Sequence, residues 1–286
     1  MSKRNLKYHP HPSPLPPAGE GENQQLNSVV MRIALGIEYD GTDFCGWQRL
    51  SHGPSVQTSV EQALSFVADE TIEVTCAGRT DSGVHAQCQV VHFDTTAQRS
   101  ERGWILGANS NLPPSVAVRW AKIVPDEFHA RFSALARRYR YVIVNRAVRP
   151  ALEGRYVTWE RAKLDADPMR KAAQALIGEH DFNAFRSIAC QANTSMRNVH
   201  EITLERVRDR IEIQIQANAF LHHMVRNIVG SLLPIGRGER SPEWMSELLN
   251  GKDRKRAGAT APATGLTFLF PLYPDQFGLP EEVTLR

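Results

Sequence analysis

Cys76-Ala77-Gly78-Arg79-Thr80-Asp81-Ser82-Gly83-Val84-His85-Ala86 joins two segments, 71–76 and 89–93, that read as strands. Gly78 and Gly83 bracket it, and a sharply bent backbone that neighbours approach closely calls for glycine. Between them stand one guanidinium, two hydroxyls and one carboxylate. A loop held by two strands is a rigid place to display a reactive side chain. The plainer reading is a turn in which Asp81 bonds its own backbone. One charged loop residue does not separate the two readings; the rest of the chain has to.

Toward the N-terminus, residues 32–38 alternate as a strand and Asp40-Gly41 turns the chain. In Gly46-Trp47-Gln48, Trp47 reads as a packing anchor. Ser55 is placed to cap a helix from Val56, with Val56, Val60, Leu64 and Val67 on one face. Downstream, 104–109 reads as a helix stopped by Pro113-Pro114, and 116–123 as a strand. His129 reads as a hydrogen-bonded structural histidine in a loop. In strand 137–144, period two puts Tyr139, Tyr141 and Ile143 on one face and Arg138, Arg140 and Val142 on the other. A tyrosine near the aspartate loop with arginines alongside suits an RNA site; a core tyrosine with a satisfied hydroxyl is the alternative.

The apolar pattern lapses around Pro150, marking a boundary near 146–153. Beyond it come a helix over 168–177 stopped by Gly178, and a strand pair, 199–207 and 211–217, turning at Arg208-Asp209-Arg210. A helix over 221–233 turns Met224, Val225, Ile228, Val229 and Leu232 inward, a second begins at Pro242, and a strand over 266–272 closes the chain. Both halves mix helices with hairpin-paired strands, so the fold class is α+β, with domains at 31–147 and 148–286. Residues 1–30 alternate proline with polar residues and cannot offset the entropy of ordering, so they read as a disordered tail, with Met31 as the working start.

The chain has 286 residues, is 42 % hydrophobic and carries a formal net charge of +3. That is enough apolar content for a core, and too little charge to announce a nucleic-acid binder, so any basic surface must come from placement. Arginines and lysines cluster at 137–140 and 252–256, where a solvated face accounts for them. The four cysteines form no Cys-x-x-Cys, which argues against a zinc ribbon. With no signal peptide and no membrane-length apolar run, a cytoplasmic protein with free thiols is expected.

Gly78-Arg79-Thr80-Asp81-Ser82-Gly83-Val84-His85-Ala86 closely resembles the signature loop of the TruA family, the tRNA pseudouridine(38–40) synthases. Three further stretches agree in order. They are Glu38-Tyr39-Asp40-Gly41 with Gly46-Trp47-Gln48, then Arg137-Arg138-Tyr139-Arg140-Tyr141, then Phe220-Leu221-His222-His223-Met224-Val225-Arg226-Asn227-Ile228-Val229-Gly230. Ordered motifs of this length are harder to meet by accident than one short pattern, and the resemblance runs from about Met31 almost to the C-terminus. It implies two α+β domains whose sheets are continuous across a central cleft, a homodimer, no cofactor, and conversion of uridine to pseudouridine in the anticodon arm of tRNA. Position by position, it implies that Asp81 is catalytic, that Arg79 helps extrude the target nucleotide, that Tyr139 stacks on the flipped uracil, and that Arg226 pairs with the aspartate. Ser82 stands where the family often has alanine, and 189–197 is less typical of it.

The chemistry is consistent with so sparse a site. Making pseudouridine breaks the N1–C1′ bond, turns the base and rejoins it through C5. No change of bond order or oxidation state calls for a metal, hydride or phosphate; one ionised carboxylate suffices as nucleophile or base. Attack at C1′, attack at C6 and removal of the C2′ proton all remain open. A base in a stem must be flipped out for a few kcal/mol, and one aromatic returns about 1–3 kcal/mol. Phosphate contacts and Arg79 would supply the rest, so binding should be salt-sensitive and shape-led. A non-catalytic tRNA-binding or folding-helper protein of the same fold is the alternative. A metal-dependent nuclease would need several carboxylates where the loop offers only Asp81.

Overall fold

The computed structural model describes residues 29–285, so the expectations for residues 1–28 lie outside the described residues. Among the described residues, ten strands and five α-helices follow one another from β1 (Met31–Tyr39) to β10 (Leu266–Leu272). Between them run α1 (Val56–Ala68), β2 (Thr75–Cys76), β3 (His85–Thr95), α2 (Glu101–Asn111), β4 (Val116–Val124), β5 (Ala136–Asn145) and β6 (Thr158–Glu160). Then come α3 (Ala166–Gln174), β7 (Gly178–Asp181), β8 (Met196–Val207), β9 (Arg210–Ala217), α4 (Met224–Gly236) and α5 (Trp244–Gly251). All strands join one sheet, ordered β4-β1-β3-β10-β5-β9-β8-β7, with β2 added to β3 and β6 to β5. Pairing is antiparallel except for β10 on β3 and β6 on β5. The last strand in the chain therefore lies between β3 and β5 and makes the sheet continuous, as an α+β fold with a shared sheet requires.

Alternation decides the two faces. In β1, Ile33, Leu35 and Ile37 join Val56, Val60 and Leu64 of α1, Trp104 of α2, Tyr139, Tyr141 and Ile143 of β5, and Ile228 and Leu232 of α4 in one continuous core. Burying each such side chain contributes about 1.5–3 kcal/mol. On the reverse face, Ala34 of β1 and Cys88 and Val90 of β3 meet Phe128, Tyr273 and Val283 in a second, smaller cluster. The helices thus form a layer on one face of the sheet, and the C-terminal segment covers part of the other.

Several element bounds differ from those read in the sequence. The strand expected at 71–76 shrinks to Thr75–Cys76, while the one expected at 89–93 lengthens to His85–Thr95. The helix expected at 221–233 begins at Met224, because His223 takes a left-handed φ of 63° that an α-helix cannot contain. It also runs through Pro234 to Gly236. The helix expected at 168–177 is Ala166–Gln174, capped by Asp165 accepting from Asp167 N. Strands β6 and β7, only three and four residues long, carry too short a pattern to be read. Ser55 caps α1 as expected, its Oγ accepting from Thr58 N at 3.2 Å.

Candidate active site

The loop before β3 is clamped on every side. Gly83 has φ 76°, the left-handed region where glycine is at no disadvantage. The Phe44 carbonyl accepts from Ser82 Oγ at 3.2 Å and from Gly83 N at 3.3 Å. Thr80 Oγ1 and the Tyr39 hydroxyl lie 2.7 Å apart, and Trp47 N donates to Thr80 O at 3.0 Å. Trp47 is 1 % exposed, the packing anchor read in the sequence. On the strand side, fully buried Gln89 bonds both the N–H and the carbonyl of Gly78. Arg137 donates to the carbonyls of Ala77, Ala134 and Asn218, gathering three backbone segments under the loop. The loop does turn at Asp81, Val84 N donating to Asp81 O at 3.1 Å, but among the described residues the Asp81 carboxylate makes no bond to its own backbone.

The carboxylate instead faces the second half of the chain. Arg226 Nη1, in the first turn of α4, lies 3.1 Å from Asp81 Oδ2, with side chains 15 % and 21 % exposed. Arg226 Nε donates to Ala261 O at 2.8 Å, which fixes the plane of the guanidinium. Segment 258–261 can supply that carbonyl because it lies against α4 at Gly230, where a Cβ would overlap the Ala259 carbonyl oxygen. Asn227, buried one residue past Arg226, ties the segment down. Its Oδ1 accepts from Thr260 Oγ1 at 2.7 Å and Arg254 Nη2 at 3.0 Å, and its Nδ2 donates to Phe185 O at 2.8 Å. Arg254 therefore points inward, and the solvated-face reading of 252–256 fails at that residue.

Two histidines complete the surroundings of Asp81. His222 Nε2 lies 3.3 Å from Oδ1 and His223 Nε2 3.4 Å from Oδ2, with the two rings 4.0 Å apart. Burial is the largest influence on His223 and lowers its pKa; Asp81 opposes that, while His222 and Arg226 reinforce it. Its left-handed backbone is uncommon outside glycine and marks a position the surroundings hold in place. The sequence reading quoted both histidines within a motif but gave them no part. A tandem His-His ahead of an arginine at a helix start was the available signal.

The other expected site residues are placed as follows. Tyr139 is 8 % exposed, its ring 4.9 Å from Phe220, edge to face, and 5.0 Å from Phe268. Its hydroxyl makes no hydrogen bond among the described residues, so it is not the core tyrosine with a satisfied hydroxyl. Burial first, and the Asp81 charge second, push its pKa up. A Cβ on Gly78 would stand 3.9 Å from that hydroxyl, so the ring reaches the aspartate loop. Arg79 is exposed and makes no hydrogen bond or ion pair among the described residues. Asp81, Arg226 and Tyr139 are thus brought together, and Arg79 stands at the rim. His129 Nδ1 accepts from Arg131 N and Phe132 N, the structural histidine expected.

One partly buried carboxylate is held by a cation that α4 brings from the second half of the chain. The family model for tRNA pseudouridine synthase matches residues 36–133 and 172–274. The tRNA pseudouridine synthase A of Stenotrophomonas maltophilia is 61 % identical over 256 residues, covering 89 % of this chain and all of that one. Those of Xanthomonas euvesicatoria and Xanthomonas axonopodis are each 59 % identical over the same coverage. Among solved structures, a chain of the archaeal box H/ACA sRNP Nop10-Cbf5 complex aligns over 70 % of this chain and 44 % of that one. Its identity is 11 % and its TM-score 0.33, too slight a likeness to bear on the fold. This chain belongs to the tRNA pseudouridine synthase family, and it is an isomerase of tRNA uridine.

Proposed function

We propose that the protein makes pseudouridine at positions 38–40 of the tRNA anticodon arm, with Asp81 as its catalytic carboxylate. The observation that carries this is the Asp81–Arg226 pair, one partner from each half of the chain. Arg226 has the place for aiming the carboxylate at a flipped nucleoside. Tyr139 is proposed to meet the extruded uracil and Arg79 to fill the gap it leaves. The exposure of Arg79 supports the second role; the unpaired hydroxyl of Tyr139 supports the first. The division into domains 31–147 and 148–286 belongs to the same reading, since it sets the pair across their junction.

The family resemblance supports action as a homodimer on the anticodon arm in the cytoplasm. Among the described residues no helix is long and apolar enough to cross a membrane. A binding protein without catalysis would gain nothing from an anion facing phosphates. Asp81→Asn therefore discriminates: tRNA binding by filter retention should stay within a few-fold of wild type while pseudouridine formation disappears. Activity near wild type in that variant refutes the assignment.

A further inference from the structure

Asp81, His222 and His223 each offer one ligand atom within 4.8 Å of the others. We propose that these three side chains form an inhibitory binding site for a tetrahedral, nitrogen-preferring divalent ion of the zinc class. The inhibition rests on the reading of Asp81 as catalytic; the binding does not. Spacing allows such an ion, and the donor set chooses it. Ligands about 2.0–2.1 Å from zinc sit ~3.4 Å apart at the corners of a tetrahedron. Octahedral ligands about 2.0–2.1 Å from magnesium are only ~2.9 Å apart. His222 Nε2 is 3.3 Å from Oδ1 and His223 Nε2 3.4 Å from Oδ2, and one ligand atom from each of the three residues lies within 4.8 Å of the others, so small side-chain adjustments bring the set to tetrahedral spacing.

Ligand chemistry agrees. Two imidazoles and one carboxylate suit zinc or cobalt, whereas magnesium and calcium take oxygen donors. Three protein ligands leave a fourth position for water. His223 takes its left-handed φ at the start of α4 and makes no side-chain capping bond there, and its Nε2 lies 3.4 Å from Asp81 Oδ2. The His222 side chain is 39 % exposed, which gives an ion a way in. Arg226 beside Oδ2 disfavours a dication, as suits an occasional inhibitor rather than a resident ion. Once bound, the ion would occupy the carboxylate oxygens that Asp81 needs for either nucleophilic or basic work.

The test titrates Co²⁺ into full-length protein without tRNA, recording visible absorption, and compares Asp81→Asn, His222→Gln and His223→Asn. Asparagine is used at 223 because it tolerates the left-handed backbone. His9 and His11 are present in all four proteins, so any contribution from them cancels in the comparison. The expected result is tetrahedral cobalt bands without a sulfur charge-transfer band, with affinity reduced ~10-fold or more in each variant. Zn²⁺ should abolish wild-type pseudouridine formation, with recovery on adding EDTA. Cobalt bands of equal strength in wild type and all variants overturn the site and leave the role of Asp81 standing. Site-specific cobalt binding with full activity at saturating Zn²⁺ overturns the inhibition. Activity retained by Asp81→Asn overturns the catalytic reading without touching the binding result.

Discussion

Arg226 reaches Asp81 across 145 positions of chain, and the same guanidinium is held from behind by the Ala261 carbonyl. Nη1 touches the carboxylate at 3.1 Å while Nε spends its proton on the backbone at 2.8 Å. Arginine is suited to this because its donors form a planar fork of fixed geometry. A lysine could supply the charge or the anchor, not both. Arg226→Met should lower kcat by about 100-fold or more, the range seen when one preorganised electrostatic group is removed. Arg226→Lys should recover part of that, with KM for tRNA nearly unchanged in both. Single-turnover assays on an anticodon-arm transcript measure it. A large rise in KM with kcat intact would move Arg226 from aiming the carboxylate to binding RNA.

Gly230 is where backbone sets the site. A methyl group there would overlap the Ala259 carbonyl and press on Ala261 N. Alanine is ordinarily better than glycine in a helix by about 1 kcal/mol. Overpacking of backbone against backbone costs about 1–3 kcal/mol or more, so the clash prevails. Gly230→Ala should lower the urea midpoint. It should also lose activity beyond what the unfolded fraction explains, because segment 258–261 carries the carbonyl that anchors Arg226. Greater stability in this variant would show that the segment yields freely.

The strand and helix pattern around the site was legible because it is periodic. Tyr139, Tyr141 and Ile143 alternate inward in β5 as the period-two reading has them, and Val225, Ile228 and Val229 are buried in α4. The resemblance marked Asp81 and Arg226 as partners, and the structure sets them 3.1 Å apart. What stayed hidden is tertiary. No local pattern says that Arg254 turns inward to Asn227 and Thr260, or that Arg137 collects four carbonyls, those of Ala77, Arg131, Ala134 and Asn218. The late start of α4 was hidden for another reason. His223 breaks the helix by a backbone angle, and histidine, unlike glycine, does not announce one.

The Tyr139 hydroxyl is without a hydrogen bond among the described residues while its ring is packed between Phe220 and Phe268. Folding therefore gains little from that oxygen. Tyr139→Phe should leave the denaturation midpoint unchanged within about 0.5 kcal/mol. If the hydroxyl is kept for the extruded base, kcat/KM should fall about tenfold, the worth of one net hydrogen bond near 1.4 kcal/mol. Tyr139→Leu should do worse, losing stacking as well. Wild-type activity in the phenylalanine variant would confine Tyr139 to its ring.

Acid should weaken the fold through His92. Its pKa is pushed down to about 4, first by burial, then by the neighbouring His129 and by Arg32, with Asp94 opposing. Its Nδ1 accepts from Ala130 N at 3.1 Å, a bond only the unprotonated nitrogen can make, and its ring lies 4.6 Å from that of His129. In the unfolded chain a histidine titrates near ~6.5. Above that pH neither state holds the proton and the full stability is present. Between about 6.5 and 4 the unfolded chain binds a proton that the folded one refuses, so stability falls as pH falls. His129, also lowered chiefly by burial, adds in the same direction. The loss from His92 should be on the order of 2 kcal/mol by pH 4. Urea unfolding at several pH values, in wild type and in His92→Gln, isolates it, since glutamine can still accept from Ala130 N but does not titrate. The variant should lose less stability than wild type over that window; parallel curves would mean that His92 is protonated in the folded protein as readily as in the unfolded one.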